Sequence, residues 1–509
     1  MVAKISTLGV QGIHGYRIDV ECFLSGGLPN FDVVGLPDAA VKESRERIRA
    51  AARCCGYDFP ARRIVMNLAP ADTKKSGSLY DLPMLLSLLQ CQDVIGELPD
   101  NVYFLGELSL EGQLRGGQGV LPMAMACPKG ASLFVPTSNA AEAALCRHLK
   151  VYAANHVRQI IDHLNDEKYI PPYIPSEAIA DDDSAVFVPD FADVRGQEAA
   201  KRALEIAAAG GHSILLEGPP GAGKSMLTTR LPSILPPLSY QEALEVTAIY
   251  SVAGRLPDGK PILHNRPFRS PHHTSSDVSL VGGGTYPKPG EISLAHHGVL
   301  FLDELPEFSR SALEVLRQPL ESGVAHISRI SSSLSYPCRF MLAAAMNPCP
   351  CGFYGFENDK CTCSQRKIEV YRGRISGPLL DRLDLRIPVP PVKFDELQQV
   401  RPAESSAAVR ERVVAARECQ RIRFNGKAMT NSLLEGQQLR KECALEEDAK
   451  ALLRNAFQRF RLSGRSHARI LRVARTIADL DGAERIDKRH LAESLQFRGW
   501  GERAAVHEA

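Results

Sequence analysis

One short stretch of the chain carries the residues of a phosphate-binding loop. Residues 213 to 231, SILLEGPPGAGKSMLTTRL, pass from a buried-strand pattern through a glycine-rich turn into a helix start. Glycines at this spacing let backbone N–H groups converge on phosphate oxygens at a helix N-terminus, a lysine reaches the β- and γ-phosphates, and a hydroxyl binds Mg²⁺. The pattern predicts an ATP site formed by Gly218, Pro219, Pro220, Gly221, Ala222, Gly223, Lys224 and Ser225.

An acidic pair ends a second apolar run. HHGVLFLDELPEF, residues 296 to 308, places four apolar residues before Asp303 and Glu304. A phosphate loop needs an acidic partner at the end of another buried strand, so Asp303 is predicted to hold Mg²⁺ through water, together with Ser225. Glu304 is then predicted to polarise the attacking water, which would make the protein a hydrolase. The alternative is a solvated acidic strand end.

Four cysteines lie close together in NPCPCGFYGFENDKCTC, residues 347 to 363. Cys349, Cys351, Cys361 and Cys363 form two C-x-C pairs separated by nine residues. The chain has 13 cysteines, an odd number, and a reducing compartment is expected, so metal binding is favoured over a disulfide framework. Paired thiolates can supply the four tetrahedral ligands of a structural zinc site. Two alternatives remain, which are reduced thiols in a surface loop and Cys338 in place of one ligand.

The elements that must position these residues divide the chain into three domains, because 509 residues exceed what one hydrophobic core serves. Residues 1–168 alternate strand and helix patterns, 169–188 are rich in proline and acidic residues as linkers are, and 189–391 form a second α/β unit. Residues 392–509 show only helical spacing, in segments such as RERVVAARECQRIRF and SHARILRVARTIADL. The predicted fold class is therefore multidomain α/β with an all-helical C-terminal part.

The composition is that of an ordinary soluble globular chain, with 44% apolar and 24% charged residues. No run approaches the about 18 to 20 apolar residues that a membrane helix needs, and the N-terminus lacks the apolar core of a signal peptide. We therefore expect a cytoplasmic protein with no membrane partner. The net charge of +2 says little, although an excess of basic residues after position 391 is a weak indication of nucleic-acid binding.

Several motifs together resemble the magnesium-chelatase-like AAA+ ATPases, and most closely the bacterial ComM/YifB group. They are VRGQEAAKRALEIAAAGGHSILLEGPPGAGKS, GEISLAHHGVLFLDELPEFSR, RFMLAAAMNPCPCG and RISGPLLDRLDLRIPVP. GLPDAAVKESRERIRAA and PADTKKSGSLYDLPMLL, near the N-terminus, are similar to the same group, so the resemblance covers nearly the whole chain. It implies an AAA+ P-loop core with pore insertions over residues 189–391 and a helical lid of the magnesium-chelatase type over residues 392–509.

The resemblance implies roles for single polar residues. Asn347, at the end of the strand pattern RFMLAAAM, would contact the γ-phosphate or its water. Arg382 lies where related ATPases carry the arginine finger that reaches the neighbouring subunit's nucleotide, with Arg374 as the alternative. Arg465 matches the sensor-2 arginine of the lid, with Arg469 as the second choice, and a surface arginine is the alternative for each. Because an arginine supplied in trans raises the rate of hydrolysis, a homohexameric ring is implied.

The N-terminal domain resembles the Lon protease domain through KKSGSLYDLP and FLGELSLEGQLRGGQGVLPMAMA. Proteolysis of this type needs a nucleophile and its activating base together. Leu79 falls about where the serine would be, and Gly119 where the lysine would be. A slip of the register by one or two residues would make Ser76, Ser78 or Lys74 resemble members of the pair. The resemblance therefore implies an inactive Lon-protease-like domain, of the ChlI type, that serves binding or assembly.

Two insertions are expected to form a substrate surface. RPFRSPHHTSSDVSLVGGGTYPKPG, residues 266–290, and SGVAHISRISSSLSYP, residues 322–337, occupy the positions of the helix-2 insert and the pre-sensor hairpin, which line the central pore in this AAA+ branch. Basic side chains there, beside small hydroxyls, would hold DNA phosphates without reading bases. The expected DNA contacts are Arg266, Arg269, His272, His273 and Arg329. A metal site at the two histidines is disfavoured, because no cysteine or acidic residue lies at close spacing.

The leading functional hypothesis is an ATP-hydrolysing hexameric motor that acts on single-stranded or branched DNA. By resemblance to the ComM/YifB group, it would be a helicase that promotes branch migration during homologous recombination in natural transformation. Its cofactors would be ATP and Mg²⁺, and recombination proteins would be among its partners. The alternative is a magnesium-chelatase-like ATPase that remodels a protein or metal-insertion complex. An ATP-dependent protease is a third hypothesis, and it lacks an evident serine and lysine pair.

Overall fold

The computed structural model describes residues 2–175, 189–257, 259–284, 287–329, 332–356, 358–392, 403–427, 429–460 and 462–497. It shows a mixed α/β protein with a parallel sheet and a helical C-terminal region, as predicted. The chain forms two compact units, 1–184 with 240–263 and 185–239 with 264–509. Most of the predicted linker, residues 176–188, lies outside the described residues. No helix in the described ranges is long and apolar enough to cross a membrane.

The described strands, numbered in chain order, are β1 Val2–Gln11, β2 His14–Ser25, β3 Asn30–Val34, β4 Arg63–Ala69, β5 Val102–Phe104, β6 Glu107–Leu108, β7 Leu114–Arg115, β8 Ser132–Pro136, β9 Lys150–Ala154, β10 Ile214–Glu217, β11 Phe268–Arg269, β12 Gly282–Gly283, β13 Lys288–Pro289, β14 Val299–Leu302, β15 Val324–Arg329, β16 Ser332–Pro337, β17 Met341–Met346 and β18 Leu385–Pro388. The described helices are α1 Ala39–Cys54, α2 Asp81–Cys91, α3 Val120–Met125, α4 Thr137–Ala143, α5 Val157–Leu164, α6 Glu198–Gly210, α7 Lys224–Thr229, α8 Leu231–Ile234, α9 Tyr240–Ala253, α10 Asp277–Val281, α11 Glu291–Leu294, α12 Arg310–Glu314, α13 Arg317–Ser322, α14 Gln365–Arg372, α15 Gly377–Leu380, α16 Ser406–Arg423, α17 Gly436–Glu442, α18 Glu447–Arg459, α19 Gly464–Leu480 and α20 Lys488–Gln496.

The first unit is built on a seven-stranded sheet in the order β3-β4-β2-β1-β5-β8-β9. β1 pairs antiparallel with β2 and parallel with β5, and β8 and β9 continue the parallel part. Buried and more exposed residues alternate along β4, because successive side chains of a strand point to opposite faces. Helix α2, DLPMLLSLLQC, is buried along its whole length and packs on β1 and β2. One face of the sheet therefore carries the main apolar core of this unit.

Helix α9, which follows the phosphate-loop helices in the chain, belongs to the first unit. Leu244 and Ala248 of α9 lie in one apolar cluster with Leu79. The hydroxyl of Ser251 donates a hydrogen bond to the buried carboxylate of Glu142. That carboxylate also accepts a bond of 2.9 Å from a backbone N–H at the start of α3. Apolar packing and hydrogen bonds therefore fix α9 in the first unit, although the chain on either side of residues 240–263 belongs to the second.

The second unit contains a five-stranded parallel sheet in the order β11-β14-β17-β10-β18. Strands β10, β14 and β17 are almost wholly apolar, which is typical of parallel sheets that are buried on both faces. Leu216 and Phe301 contribute to the apolar cluster on one face, and Leu215 and Leu300 contribute to the cluster on the other. Since the strands are parallel, the carboxyl ends of β10, β14 and β17 meet at one edge, where sheets of this kind bind ligands.

The C-terminal helices surround a buried polar network. Asp479 of α19 accepts hydrogen bonds from Arg423 of α16, at 2.6 Å, and from Arg475, at 3.0 Å. The side-chain amide of Asn431 donates to the same carboxylate at 2.7 Å. Asp479 and Arg475 are only 5% and 1% exposed. The network therefore joins helices that the sequence patterns predicted one by one.

Asp479→Ala is expected to lower the stability of the second unit by about 3–5 kcal/mol, because it leaves two guanidinium groups without their buried counter-charge. The measurement is the thermal unfolding of the full-length protein, followed by circular dichroism. Glu418→Ala is the matched control on α16, since its ion pair with Arg421 is exposed to water and adds little to stability. Equal unfolding temperatures for the two variants would contradict the role assigned to the network.

Candidate nucleotide site

The phosphate loop connects β10 to α7 at the carboxyl edge of the parallel sheet. Gly221 and Gly223 have positive φ angles of 77° and 87°, which glycine adopts without side-chain strain. Lys224 is buried, and its Nζ donates to the carbonyl oxygens of Gly218, at 2.7 Å, and Pro219, at 2.9 Å. Burial lowers the pKa of this ammonium group. The lysine is therefore folded into the loop, with its charge placed where a phosphate oxygen can take over the contacts.

The base of the loop is tied to both neighbouring strands. The N–H of Gly218 donates to the carbonyl of Met346, the last residue of β17, at 3.2 Å. A Cβ atom at position 218 would lie 2.2 Å from the carbonyl oxygen of Val389. The side-chain amide of Gln197 donates to a carbonyl just after β18 at 2.6 Å and to the carbonyl of Ala222 at 3.4 Å. Close backbone packing therefore requires glycine at position 218 and holds the loop between two strands.

Polar residues that follow β14 and β17 lie beside the loop. The hydroxyl of Ser225 donates to Asp303 Oδ2 at 2.5 Å, and Lys224 Nζ donates to Asn347 Oδ1 at 3.0 Å. The two residues predicted to hold Mg²⁺ are thus in contact, and their oxygen atoms are of the kind that this ion prefers. Glu304 has a φ angle of 52°, a strained conformation for a residue with a side chain and one that is common at active sites. The structure therefore places Lys224 against Asn347 and Ser225 against Asp303, and the backbone N–H of Glu304 donates to Asp303 at 2.9 Å.

The carboxylate of Glu304 contacts a histidine of the insertion at residues 266–290. Nδ1 of His273 lies 3.3 Å from Glu304 Oε2. The rings of His273 and His272 lie with their centroids 4.1 Å apart, and Nδ1 of His272 lies 2.9 Å from the hydroxyl of Thr274. The insertion expected to meet DNA therefore touches the carboxylate predicted to activate water.

The two arginines at the start of this insertion have partners inside the protein. Arg266 donates to three backbone carbonyls on other segments, at 2.6, 2.7 and 3.3 Å. Arg269 makes two hydrogen bonds, of 2.6 and 3.0 Å, with the carboxylate of Glu291. A DNA phosphate would have to replace these contacts. Arg329 ends β15, the first strand of the expected pre-sensor hairpin, and its side chain lies outside the described part of the structure.

The two candidates for an arginine finger are both paired with acidic residues. Arg382 donates to the carboxylate of Glu321 and, at 2.8 Å, to the carbonyl of Pro378. Arg374 donates to Glu307 at 2.9 Å. Either residue would have to leave an ion pair in order to reach a phosphate.

The two candidates for sensor 2, Arg465 and Arg469, lie one turn apart on α19. Arg465 is exposed, whereas Arg469 is buried, with its Nε 3.8 Å from Asp384 Oδ1. Burial lowers the pKa of Arg382, and the charges of neighbouring arginines, these two among them, lower it further. Arg382 therefore has other arginines nearby as well as the carboxylate of Glu321.

The four cysteines of the predicted zinc site converge. The Sγ atoms of Cys349, Cys351, Cys361 and Cys363 all lie within 4.8 Å of one another, with separations of 3.3, 3.6 and 3.9 Å among the first three. Zn–S bonds of about 2.3 Å in a tetrahedral site place sulfurs about 3.8 Å apart, so the donor set fits zinc. A backbone N–H helps to lower the pKa of Cys351 to about 6. Cys338, the alternative ligand, is buried in an apolar cluster outside this group.

In the first unit, the positions matched with a catalytic serine and lysine are Leu79, which is buried, and Gly119, whose φ angle is 78°. The hydroxyl of Ser78 donates to a glutamate carboxylate. Ser76 and Lys74 are exposed. Leucine and glycine can supply neither a nucleophile nor a base.

Arg372, the last residue of α14, is a part of the site that the sequence did not single out. Its Nη2 donates to Glu217, the last residue of β10, at 2.6 Å, and its Nε donates to the carbonyl of Pro348 at 3.0 Å. It therefore joins the strand before the phosphate loop to the segment after Asn347. YRGRISG contains two arginines, and nothing in their spacing distinguishes Arg372 from Arg374.

Comparison with known proteins identifies the family. "Magnesium chelatase, subunit ChlI" matches residues 190–397, "Subunit ChlI of Mg-chelatase" matches 20–139, and "Magnesium chelatase, subunit ChlI C-terminal" matches 403–498. The chain is 44% identical to the protein YifB of Salmonella typhimurium over 501 residues, which are 98% of this chain and 97% of that protein. It is 43% identical to the competence protein ComM of Haemophilus influenzae over 508 residues, again 98% and 97% of the two chains.

A more distant relative marks the wider family. The magnesium-chelatase 38 kDa subunit of Rhodobacter capsulatus is 27% identical over 176 residues, which are 31% of this chain and 50% of that protein. The three family matches and the two nearly full-length relatives confirm the resemblance seen in the sequence motifs. The chain belongs to the magnesium-chelatase-like ATPases, a family that works with ATP and Mg²⁺, and within it to the group that contains YifB and ComM.

Proposed function

We propose that this ATPase is a hexameric ring motor that acts on single-stranded or branched DNA, as a helicase that promotes branch migration during homologous recombination in natural transformation. The name of the Haemophilus influenzae relative, a competence protein, supports this process. The observation that carries the proposal is the contact of 3.3 Å between His273 and Glu304. It joins the insertion proposed to meet DNA to the carboxylate proposed to activate water, so DNA binding can change hydrolysis directly.

The residues around the phosphate loop divide the work of hydrolysis. Lys224 exchanges its contacts with loop carbonyls for contacts with phosphate oxygens, and Asn347 beside it orients the γ-phosphate or the water. Ser225, and Asp303 through water, would hold Mg²⁺, which would neutralise charge on the phosphates. Glu304 accepts a proton from the attacking water.

The grouped arginines support a ring of identical subunits. An arginine supplied by one subunit to the nucleotide of the next stabilises the charge that develops on the γ-phosphate. We assign this role to Arg382, with Arg374 as the alternative, and sensor 2 to Arg465, with Arg469 as the alternative. The arginines near Arg382, which lower its pKa, support this assignment, because they would attract an anion once Glu321 is displaced.

The DNA surface is proposed to centre on the histidine pair of the insertion. His272 is exposed and stands beside the hydroxyl of Thr274, so both can meet a phosphate. Arg266 and Arg269, which are engaged within the protein, would support the insertion and contact DNA only after rearrangement. Recombination proteins are the further partners proposed.

The alternative function is a magnesium-chelatase-like ATPase that remodels a protein or a metal-insertion complex. The similarity to the Rhodobacter capsulatus subunit favours it, and the nucleotide site would serve it equally well. The first unit is proposed as an inactive Lon-protease-like domain used for binding or assembly, because the matched positions hold Leu79 and Gly119.

The purified protein is expected to displace a labelled strand from forked or three-stranded DNA when ATP and Mg²⁺ are present. Glu304→Gln is expected to bind ATP but to hydrolyse it about 10²–10⁴ times more slowly, because the water loses its general base, and to displace no strand. Gel electrophoresis of the labelled DNA and phosphate release are the measurements. The motor proposal fails if the wild type neither displaces a strand nor hydrolyses ATP faster with DNA.

His273→Ala is expected to raise the ATPase rate measured without DNA and to reduce the stimulation by DNA. The physical reason is that Glu304 loses the imidazole partner that restrains its carboxylate, which can then turn more readily towards the attacking water. Val278→Ala, an exposed change in the same insertion, is the matched control and should leave both rates as they are. A DNA-free rate in His273→Ala equal to that of the wild type would refute the proposed coupling.

We also propose that the four clustered cysteines bind a structural Zn²⁺. The donor set and its sulfur separations support the assignment, and structural zinc sites with four thiolates are closed to other ligands. Elemental analysis of protein purified without added metal is expected to give about one zinc per chain, and about none for the Cys349→Ser/Cys361→Ser variant. A wild-type protein with well under one zinc per chain would rule the site out.

A further inference from the structure

The loop between Cys349 and Cys363, here called the cysteine loop, lies against the phosphate loop. We propose, on the basis of the nucleotide and zinc sites proposed above, that Zn²⁺ in the cysteine loop braces the phosphate loop and thereby raises its affinity for ATP. Three sets of contacts point to the phosphate loop.

The first contact is a direct approach of the two loops. Gly352, inside the cysteine loop, has a φ angle of 91°. A Cβ atom at this position would lie 2.4 Å from Cδ and 2.8 Å from Cγ of Pro220. Such distances are far below van der Waals contact, so only glycine lets the cysteine loop approach this closely. The proline of the phosphate loop therefore rests on the backbone between the two C-x-C pairs.

The second set of contacts passes through Arg372. Its guanidinium bonds Glu217, at the start of the phosphate loop, and the carbonyl of Pro348, directly before the first cysteine. The same guanidinium lies 5.6 Å from the ring centroid of Tyr354 in the cysteine loop. One side chain therefore joins the end of β10 to the residue before the cysteine loop and to a tyrosine within that loop.

The third set of contacts connects the cysteine loop, through Cys349, to Asn347 and Lys224. The N–H groups of Gly352 and Tyr354 donate to the carbonyl and to the Sγ of Cys349, at 3.0 and 3.4 Å. Cys349 is fully buried and lies two residues after Asn347, whose amide oxygen accepts from Lys224. A restraint on the first cysteine therefore reaches the lysine that meets the phosphates.

The metal would act by removing freedom from the cysteine loop. Without it, the two C-x-C pairs are joined by thiol contacts of 3.9 and 3.6 Å, which restrain the loop less than bonds to a metal would. Fixing the backbone of one residue costs about 1–2 kcal/mol, so even partial ordering on nucleotide binding would weaken affinity about tenfold. A bound zinc would order the loop before the nucleotide binds, so nucleotide binding would no longer carry this entropy cost. Zinc and nucleotide would then each raise the affinity for the other.

The test is the Kd of a fluorescent ATP analogue with Mg²⁺, measured by anisotropy on the full-length protein together with its zinc content. Cys351→Ser/Cys363→Ser is expected to lose zinc and to bind the analogue about tenfold more weakly, with an unchanged far-ultraviolet circular dichroism spectrum. Cys419→Ser, an exposed cysteine on α16, is the matched control, with wild-type zinc and wild-type Kd. A folded, zinc-free double variant with the wild-type Kd would overturn the proposal.

Gly352→Ala keeps all four thiols and tests the contact without removing the metal. It is expected to retain one zinc per chain and yet to bind the analogue about tenfold more weakly, because its methyl group displaces Pro220. A wild-type Kd for this variant would also overturn the proposal. The outcome is separate from that of the motor: failure of strand displacement leaves a zinc-dependent Kd in place, and a zinc-independent Kd leaves strand displacement in place.

Discussion

The buried ammonium group of Lys224 is the charge that the second unit is arranged to hold. A buried cation is costly without polar partners, and this one has two loop carbonyls and the amide oxygen of Asn347. These partners are within reach because β10 and β17 are adjacent and parallel, with Glu217 opposite Met346. Apolar clusters on both faces of the sheet fix that register. The nucleotide site therefore depends on the packing of strands that never touch a phosphate.

Three segments from different parts of the chain meet at this edge of the sheet. The insertion after β11 reaches Glu304 through His273, helix α14 reaches Glu217 through Arg372, and the cysteine loop reaches the phosphate loop at Gly352. Each contact joins one of these segments to a residue at, or directly after, the carboxyl end of a strand of the parallel sheet. The insertion and the cysteine loop are therefore in direct contact with the candidate nucleotide site.

The apolar packing of the first unit includes helix α9. Leu79 lies in an apolar cluster with Leu244 and Ala248 of α9, so its side chain contributes to packing. Helix α9 is joined at both ends to the chain of the second unit. Helix α9, which lies in the sequence between the phosphate loop and β11, thus completes the apolar interior of the first unit. This packing explains why a leucine suits position 79.

The sequence by itself determined the strands β10, β14 and β17, the phosphate loop, its acidic partners and the convergence of four cysteines. These features rest on local periodicity and spacing, which the covalent chain fixes over a few residues. The sequence also indicated the family, through motifs spread over the whole chain. The helical C-terminal region was predictable for the same reason, since its apolar residues recur at helical spacing.

Only the tertiary structure decided which groups the polar side chains meet. It gave Arg266 and Arg269 partners inside the protein, set His273 on Glu304, brought Arg372 to Glu217, and placed α9 in the first unit. The physical reason is that a long polar side chain has many partners within reach, and its choice depends on segments far away in sequence. The periodicity of the sequence does not predict these partners, because they depend on how the core packs and on which opposite charges it brings together.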